Sequence, residues 1–350
     1  MTSSDHLQLT YVDDSLPGIT RKKVGRGWGY WDPKGQRITD REEIDRLNAI
    51  ALPPAYRDAW FCPSPDGHIQ ATGFDDKGRK QYRYHVAFRE AQDAAKYEKC
   101  ADFGRALPLI RARVEADLAG RKLSRDTVVA AIVRLLDLGR VRVGNEVYTK
   151  ENKSFGATTL RNRHARVRGS KLTLEYRGKS GKDQKLTIED KRLSALVKKC
   201  QDLPGQHLFQ YVDDDGARHN VGSADVNAYI REATGGQFTA KHFRTWGASL
   251  IAYRHIIEAL MGGEKIGLKT MLEPVAAALG NTPAISRKSY VHPALIELCR
   301  TGDASCVDGV KLPRATRYLS PHERGLIAFL DEIAALPEIA EKADQAPKAA

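Results

Sequence analysis

A tyrosine set among cations draws attention first. In GNTPAISRKSYVHP (280–293), Tyr290 follows Arg287, Lys288 and Ser289. That company suits a wet phenol, or one held ready for an anion, better than it suits a packed core residue. A phenol with a pKa of about 10 is mostly protonated at neutral pH and needs positive surroundings to act as a nucleophile. If its target were a phosphodiester, in-line attack on phosphorus would need charge stabilisation on the oxygens and an acid for the departing one. Arginine suits the first task because it stays charged and offers a planar fork to two oxygens. Lysine can bind phosphate and also release a proton.

The chain supplies these residue types in separate segments. Arg142 lies in GRVRVGNEVY, Lys179 in YRGKSGK, and Arg244 in KHFRTWG, with Lys241 three residues earlier on the same helical face. Asn281 precedes the Thr282-Pro283 pair that opens the segment of Tyr290. Taken singly, each has a plain reading: arginines after helices are usually solvated, and lysines at hairpin tips are common. In GRKQYRYH, alternation puts Lys80, Tyr82 and Tyr84 on one strand face, where ordinary packing would also explain the tyrosines. Asp213-Asp214-Asp215-Gly216 fails as a calcium loop because Ala224 stands at the twelfth position, so it reads as a turn. His242 and His292 lack partners at metal-ligand spacing, and no metal site is expected.

The elements that must position these residues fall into two regions. Up to about residue 90 the chain reads as β-rich. A hairpin turn is expected at Asp32-Pro33-Lys34-Gly35, a short helix in DREEIDRLNAIAL, and a second hairpin around Pro63 to Gly67. From about Val86 the pattern turns helical. SRDTVVAAIVRLLDLG starts at Ser124 as N-cap and ends at Gly139 as the expected C′ residue. HARVR, KLTLEYRG and QKLTIED read as three strands, with turns at Gly169-Ser170 and Lys179 to Lys182. Three further helices follow, and Thr282 and Pro283 are expected to open a short helix carrying Tyr290.

Charge narrows the partner class. The net charge is +12, and residues 161–200 hold 13 basic against 4 acidic residues. Such density inside a folded region points to a polyanion, most often nucleic acid. Five scattered cysteines (62, 100, 200, 299 and 306) fit free thiols. With no long apolar run and an opening stretch, MTSSDHLQLTYVDD, lacking signal features, the expectation is a soluble cytoplasmic protein.

Read together, RVRVGNEVYTKENKSFGATTLRNRH, EYRGKSGKD, KHFRTWGAS and LGNTPAISRKSY resemble the type IB DNA topoisomerases of the small, poxvirus-like bacterial kind. GRKQYRYH is similar to the DNA-facing strand of that family's small β domain, so the resemblance runs from about Gly25 to the helix after Tyr290. It implies an α+β protein with a β-rich N-terminal DNA-clamping domain (1–90) and a flexible tail (336–350). Between them it implies a larger, mainly helical catalytic domain containing a three-stranded sheet (91–335).

The resemblance also implies roles. Tyr290 would be the nucleophile that forms a 3′-phosphotyrosyl bond and releases a 5′-hydroxyl. Arg142 and Arg244 would stabilise the transition state, and Lys179, on a mobile hairpin, would protonate the leaving oxygen. Asn281 stands where many members have histidine, and its neutral amide can donate the same hydrogen bond. Arg79, Gln81, Tyr82, Tyr84, Tyr148 and Lys241 match DNA-contacting positions. The implied partner is double-stranded DNA, relaxed by a monomer without ATP, cofactor or obligatory metal. A tyrosine recombinase is the alternative. That family usually has histidine where Lys241 stands, and a helical N-terminal domain where this chain reads as hairpins. A non-catalytic basic DNA-binding protein would explain the charge but not the ordered motifs.

Overall fold

The computed structural model describes residues 9–76, 78–120, 122–301 and 312–335, apart from the side chains of 90, 93–96, 147, 148 and 151. The chain divides between Lys96 and Tyr97 into two compact units. The first holds strands β1 (Ile19–Val24), β2 (Gly27–Trp31), β3 (Arg57–Phe61), β4 (Ile69–Phe74) and β5 (Lys80–Tyr84), with helix α1 (Arg41–Ala49) between β2 and β3. The strands form one antiparallel sheet in the order β2-β1-β3-β4-β5. Helix α1 starts because the Asp40 carboxylate accepts from the Glu42 N–H. Its Ile44 and Leu47, one turn apart, join Ile19, Tyr30, Phe61 and Ala71 in one apolar core.

One expectation here needs correcting. The first hairpin turn lies at Gly25-Arg26, where Val24 pairs with Gly27, ahead of the turn expected at Asp32 to Gly35. Gly25 has φ +58°, the left-handed conformation that a tight hairpin demands. Asp32 to Gly35 is also a turn, closed from the Gly35 N–H to the Asp32 carbonyl, and it leads only to an isolated bridge between Trp31 and Arg37.

Helix α2 (Val86–Asp117) runs across the division. The second unit continues with α3 (Arg125–Gly139), α4 (Glu146–Asn152), β6 (Ala165–Arg168), β7 (Lys171–Arg177), β8 (Asp183–Glu189) and α5 (Lys191–Gln201). After them come β9 (Gln210–Val212), β10 (Arg218–Asn220), α6 (Ser223–Thr234), α7 (Ala240–Met261) and α8 (Leu268–Leu279). The last elements are α9 (Pro283–Ser289), α10 (Pro293–Thr301) and α11 (Pro321–Ala334). Strands β6-β7-β8 form an antiparallel sheet, and β9-β10 a hairpin around the Asp213–Gly216 turn. Within that turn Asp213 accepts from Ala217 and His219, and among the described residues no group of three His, Cys, Asp or Glu could hold a metal ion. No described helix is long and apolar enough to cross a membrane.

Helix α3 is the spine of this unit. Its residues 127–133, 135 and 136 are buried on all sides, which fits a central helix surrounded by others. Ser124 caps it as expected, but the C-terminal left-handed residue is Arg140 (φ 52°), and Gly139 is still helical. The tail call for 336–350 and Cys306 lie outside the described residues.

Helix α11 is locked on by charge. Arg111 of α2 grips the Asp137 carboxylate through two hydrogen bonds of 2.8 Å and Glu323 through two of 2.7 and 3.2 Å, while Ser320 and Glu323 form a capping box. Burial alone would raise the Glu323 pKa, but Arg111 and Ser320 outweigh it and hold it below the usual value. A carboxylate depressed in the native state stabilises fully above its unfolded pKa and loses that contribution as pH falls through the native one. Thermal denaturation should therefore show a melting temperature that drops below about pH 4.5, with a shallower drop in Glu323→Gln. Arg111→Met, which leaves two buried carboxylates unpaired, should cost about 3 kcal/mol at pH 7.

Candidate active site

The site is built where helices end. Arg244 sits in the second turn of α7, facing inward and 5% exposed. It donates to the carbonyl of Arg140, the C-cap of α3, and at 3.0 Å to that of Leu279, the last residue of α8. Carbonyls at helix C-termini lack intrahelical partners and carry partial negative charge, so one guanidinium caps two helices. Gly247, one turn further along α7, leaves room for the Arg140 stem: a Cβ there would fall 2.7 Å from Arg140 Cδ. The buried Nε of Arg244 has no hydrogen-bond partner.

Arg142 follows the same helix end and is stapled by the loop after α4. The Arg142 carbonyl accepts from the Ala157 N–H at 2.8 Å, and Val143 accepts from Thr158 at 2.7 Å. The backbones touch so closely that a Cβ on Gly156 would lie 2.6 Å from the Arg142 oxygen and from Gly144 Cα. Only glycine fits there. Gly280, in the left-handed conformation after α8, turns Asn281 back so that its N–H reaches Ala276. The Asn281 side-chain oxygen accepts from Arg142 Nη2 at 3.0 Å, which leaves its buried amide nitrogen without a partner.

Tyr290 is the C-cap residue of α9, one position past the helix expected to carry it, and its ring is half-buried. The Arg244 Cζ lies 4.9 Å from the ring centre. Ser249 of α7 accepts from the His292 N–H at 3.0 Å and so holds the chain just beyond the phenol. Lys179 is exposed on the β7–β8 connection, whose Ser180 (φ 64°) and Gly181 (φ 73°) are both left-handed. A cavity of about 370 Å³ is lined by Arg142, Lys179, Lys241, Arg244 and Tyr290, together with Phe155 and Asn145. No described carboxylate lines it.

The electrostatics follow from this layout. Burial pushes the Tyr290 phenol up, but Arg244 first, then Arg142 and Lys179, oppose it, and its pKa falls below the ordinary value. Tyr176 of β7 goes the other way: its deeper burial outweighs the same two arginines. Burial and the neighbouring Arg142 lower the Arg244 pKa, yet a guanidinium stays charged. The result is a phenol poised toward ionisation beside fixed cations, with two buried donors unused. Such a set can receive a phosphodiester and exchange one of its ester oxygens.

The remaining expected residues lie elsewhere or in another state. In the N-terminal unit, Lys80, Tyr82 and Tyr84 share the exposed face of β5, with Tyr82 and Tyr84 stacked at 5.9 Å. Arg79 and Gln81 are both held by Asp75, Arg79 through Nε at 2.8 Å and Gln81 at 3.1 Å. Tyr148 lies on α4, its side chain outside the described set. His242 is packed between Phe103 and Phe238 and accepts from the Thr239 N–H, and His292 stacks edge-on against Tyr97. Arg140, Phe155 and Tyr176 were not anticipated. A left-handed arginine has no clear sequence signal, and the other two are recognised only once the sheet is folded against the helices.

Residues 85–298 match the family described as eukaryotic DNA topoisomerase I, catalytic core, and residues 27–75 match the bacterial DNA topoisomerase IB N-terminal domain. The chain is 32% identical over 294 residues to DNA topoisomerase 1B of Acanthamoeba polyphaga mimivirus, covering 81% of this chain and 88% of that one. It is 20% identical over 261 residues to DNA topoisomerase 1B of Vaccinia virus (strain Copenhagen), covering 71% and 77%. Among solved structures, a post-cleavage complex of the XerH site-specific recombinase aligns with 15% identity and a TM-score of 0.35 over 57% of this chain and 51% of that one, too distant to bear on activity. The chain belongs to the poxvirus-like type IB DNA topoisomerases, and duplex DNA is its substrate class.

The phenol's environment yields a direct test. Arg244→Met keeps the burial but removes the largest opposing charge, so the Tyr290 pKa should move upward. Titration of ring-labelled tyrosine by NMR reads this, and an unchanged or lower pKa would contradict the assigned cause.

Proposed function

We propose that this enzyme relaxes supercoiled duplex DNA through a transient 3′-phosphotyrosyl link at Tyr290, acting as a monomer without nucleotide hydrolysis or an obligatory metal. The observation that carries the reading is the phenol lowered in pKa by three cations around a cavity with no described carboxylate in its lining. A bond forms from the Tyr290 oxygen to phosphorus as the bond from phosphorus to the 5′ oxygen breaks. The phenolic proton passes to solvent, and Lys179 gives a proton to the 5′ oxygen and regains one from water. Arg142 and Arg244 bind the non-bridging oxygens, where charge concentrates in the transition state. The unpartnered nitrogen of Asn281 supplies a neutral donor to the same oxygens. Lys241, on the cavity wall, and the β5 face of the N-terminal unit hold the duplex through phosphate and groove contacts.

One phosphodiester replaces another, so the energy of the cut bond is kept for resealing. The free 5′ end rotates under supercoil torque before the reverse reaction. Affinity should fall steeply with salt, as phosphate contacts release counterions.

Relaxation of supercoiled plasmid should proceed in EDTA without nucleotide. Tyr290→Phe should abolish the covalent protein–DNA adduct while leaving salt-sensitive binding close to normal, and an adduct that persists would sink the assignment. Lys179→Ala should slow cleavage by roughly 10² to 10⁴. A substrate with sulfur in place of the bridging 5′ oxygen should restore most of that rate, because a thiolate leaves without a proton.

A further inference from the structure

Beside the active-site cavity lies a second hollow of about 530 Å³, and Phe155 lines both. Its lining includes Lys150 and Lys153 from the end of α4, Arg161 and Arg163 from the turn before β6, Arg177 from the end of β7, and His164. No described side chain in it is acidic, and no described carboxylate forms an ion pair with those five cations. The polar contacts they make are to neutral groups. Arg161 donates to the Gln206 side chain and lies 5.8 Å over the Phe155 ring, with its buried Nε unpartnered. Arg163 reaches His164 at 3.5 Å, and Arg177 donates to the Gly181 carbonyl at 3.2 Å. Burial, then Arg163 and Arg161, push the His164 pKa down to about 4, so the imidazole is neutral at pH 7 and adds no charge of its own.

Five like charges in one hollow repel one another unless an anion is supplied. The shared Phe155 wall sets this hollow next to the cavity that Tyr290 lines. Arg177 makes the hollow more than a docking point. It lies two residues before Lys179, and its hydrogen bond to Gly181 spans the connection that carries the lysine.

We propose that this hollow binds backbone phosphates of one arm of the bound duplex, and that their engagement of Arg177 and its neighbours fixes the β7–β8 connection so that Lys179 faces the leaving oxygen. The inference rests on the phosphotyrosyl reading above. It adds that duplex length on one side of the cut controls the acid step.

The test uses the full chain with Lys150→Gln, Lys153→Gln and Arg163→Gln combined, three exposed positions outside the catalytic set, in single-turnover cleavage at saturating protein. The variant should cleave the all-oxygen duplex roughly tenfold or more slowly and match the parent protein on the 5′-sulfur duplex, which needs no acid. Its binding should lose salt dependence, with a slope shallower by about one per phosphate contact removed. Shortening the duplex, on one side only, should reproduce the defect in the parent protein. An unchanged saturating rate, or an equal loss on both substrates, would overturn the proposal. So would inorganic phosphate restoring the short duplex at matched ionic strength, because the site would then be one for free phosphate. If instead the parent protein formed no adduct at all, it is the phosphotyrosyl reading that would fail.

Discussion

A guanidinium that is held fast without being neutralised governs the geometry around Tyr290. Arg244 is nearly inaccessible, yet its acceptors are two backbone carbonyls at the ends of α3 and α8. Those carbonyls offer strong directional hydrogen bonds and only fractional negative charge. The side chain is therefore fixed while most of its field remains to act on the phenol 4.9 Å away. Arg142 follows the same rule, with the amide oxygen of Asn281 as its acceptor. Arg111 shows the contrast: two carboxylates cancel its charge, and what it supplies is the attachment of α11. The same residue type does opposite jobs according to whether its partner carries a full charge.

This constraint explains why helix ends meet at the site. Within a helix only the last carbonyls are free, so helix ends brought close together can hold a buried arginine without cancelling its charge. Helix α3 ends at Arg140, in a left-handed turn that also sends the chain on to Arg142. Helix α8 ends at Gly280, in the left-handed turn that brings Asn281 to Arg142. Each termination thus supplies an acceptor for Arg244 and positions another polar group. A Cβ on Gly280 would fall 2.1 Å from the Gln184 side-chain oxygen of β8, so the end of that side chain packs directly over the turn.

Much of this was legible in the sequence, for reasons that differ by residue. Ser124, Thr282-Pro283 and the alternation of Lys80, Tyr82 and Tyr84 are local signals, and local rules place them correctly. Gly139 misled because glycine is the commonest left-handed terminator, yet here Arg140 takes that conformation. The β1–β2 turn is masked in the sequence because Asp32-Pro33-Lys34-Gly35 gives a louder turn signal than Gly25-Arg26. Arg79 and Gln81 are held by Asp75, which stands only four residues before the arginine, a pairing that strand alternation does not signal. Tyr176, Phe155 and the basic hollow depend on how β7 and the loop after α4 pack together, which no local pattern encodes.

The site divides into a rigid part and an adjustable one. Tyr290, Arg244, Arg142 and Asn281 hang from helix ends tied by backbone hydrogen bonds, whereas Lys179 stands on an exposed connection containing two left-handed residues. An element with little burial is cheap to move. On the proposed reading the lysine must donate a proton in cleavage and accept one in religation, because the two steps are each other's reverse. Misplacing it slows both alike and leaves their ratio unchanged. The cleaved state then stays as scarce as before while turnover falls, so a displaced hairpin idles the enzyme without leaving DNA broken. A defect in the arginines has no such protection, since they hold both the phosphate and the phosphotyrosine and act differently on the two.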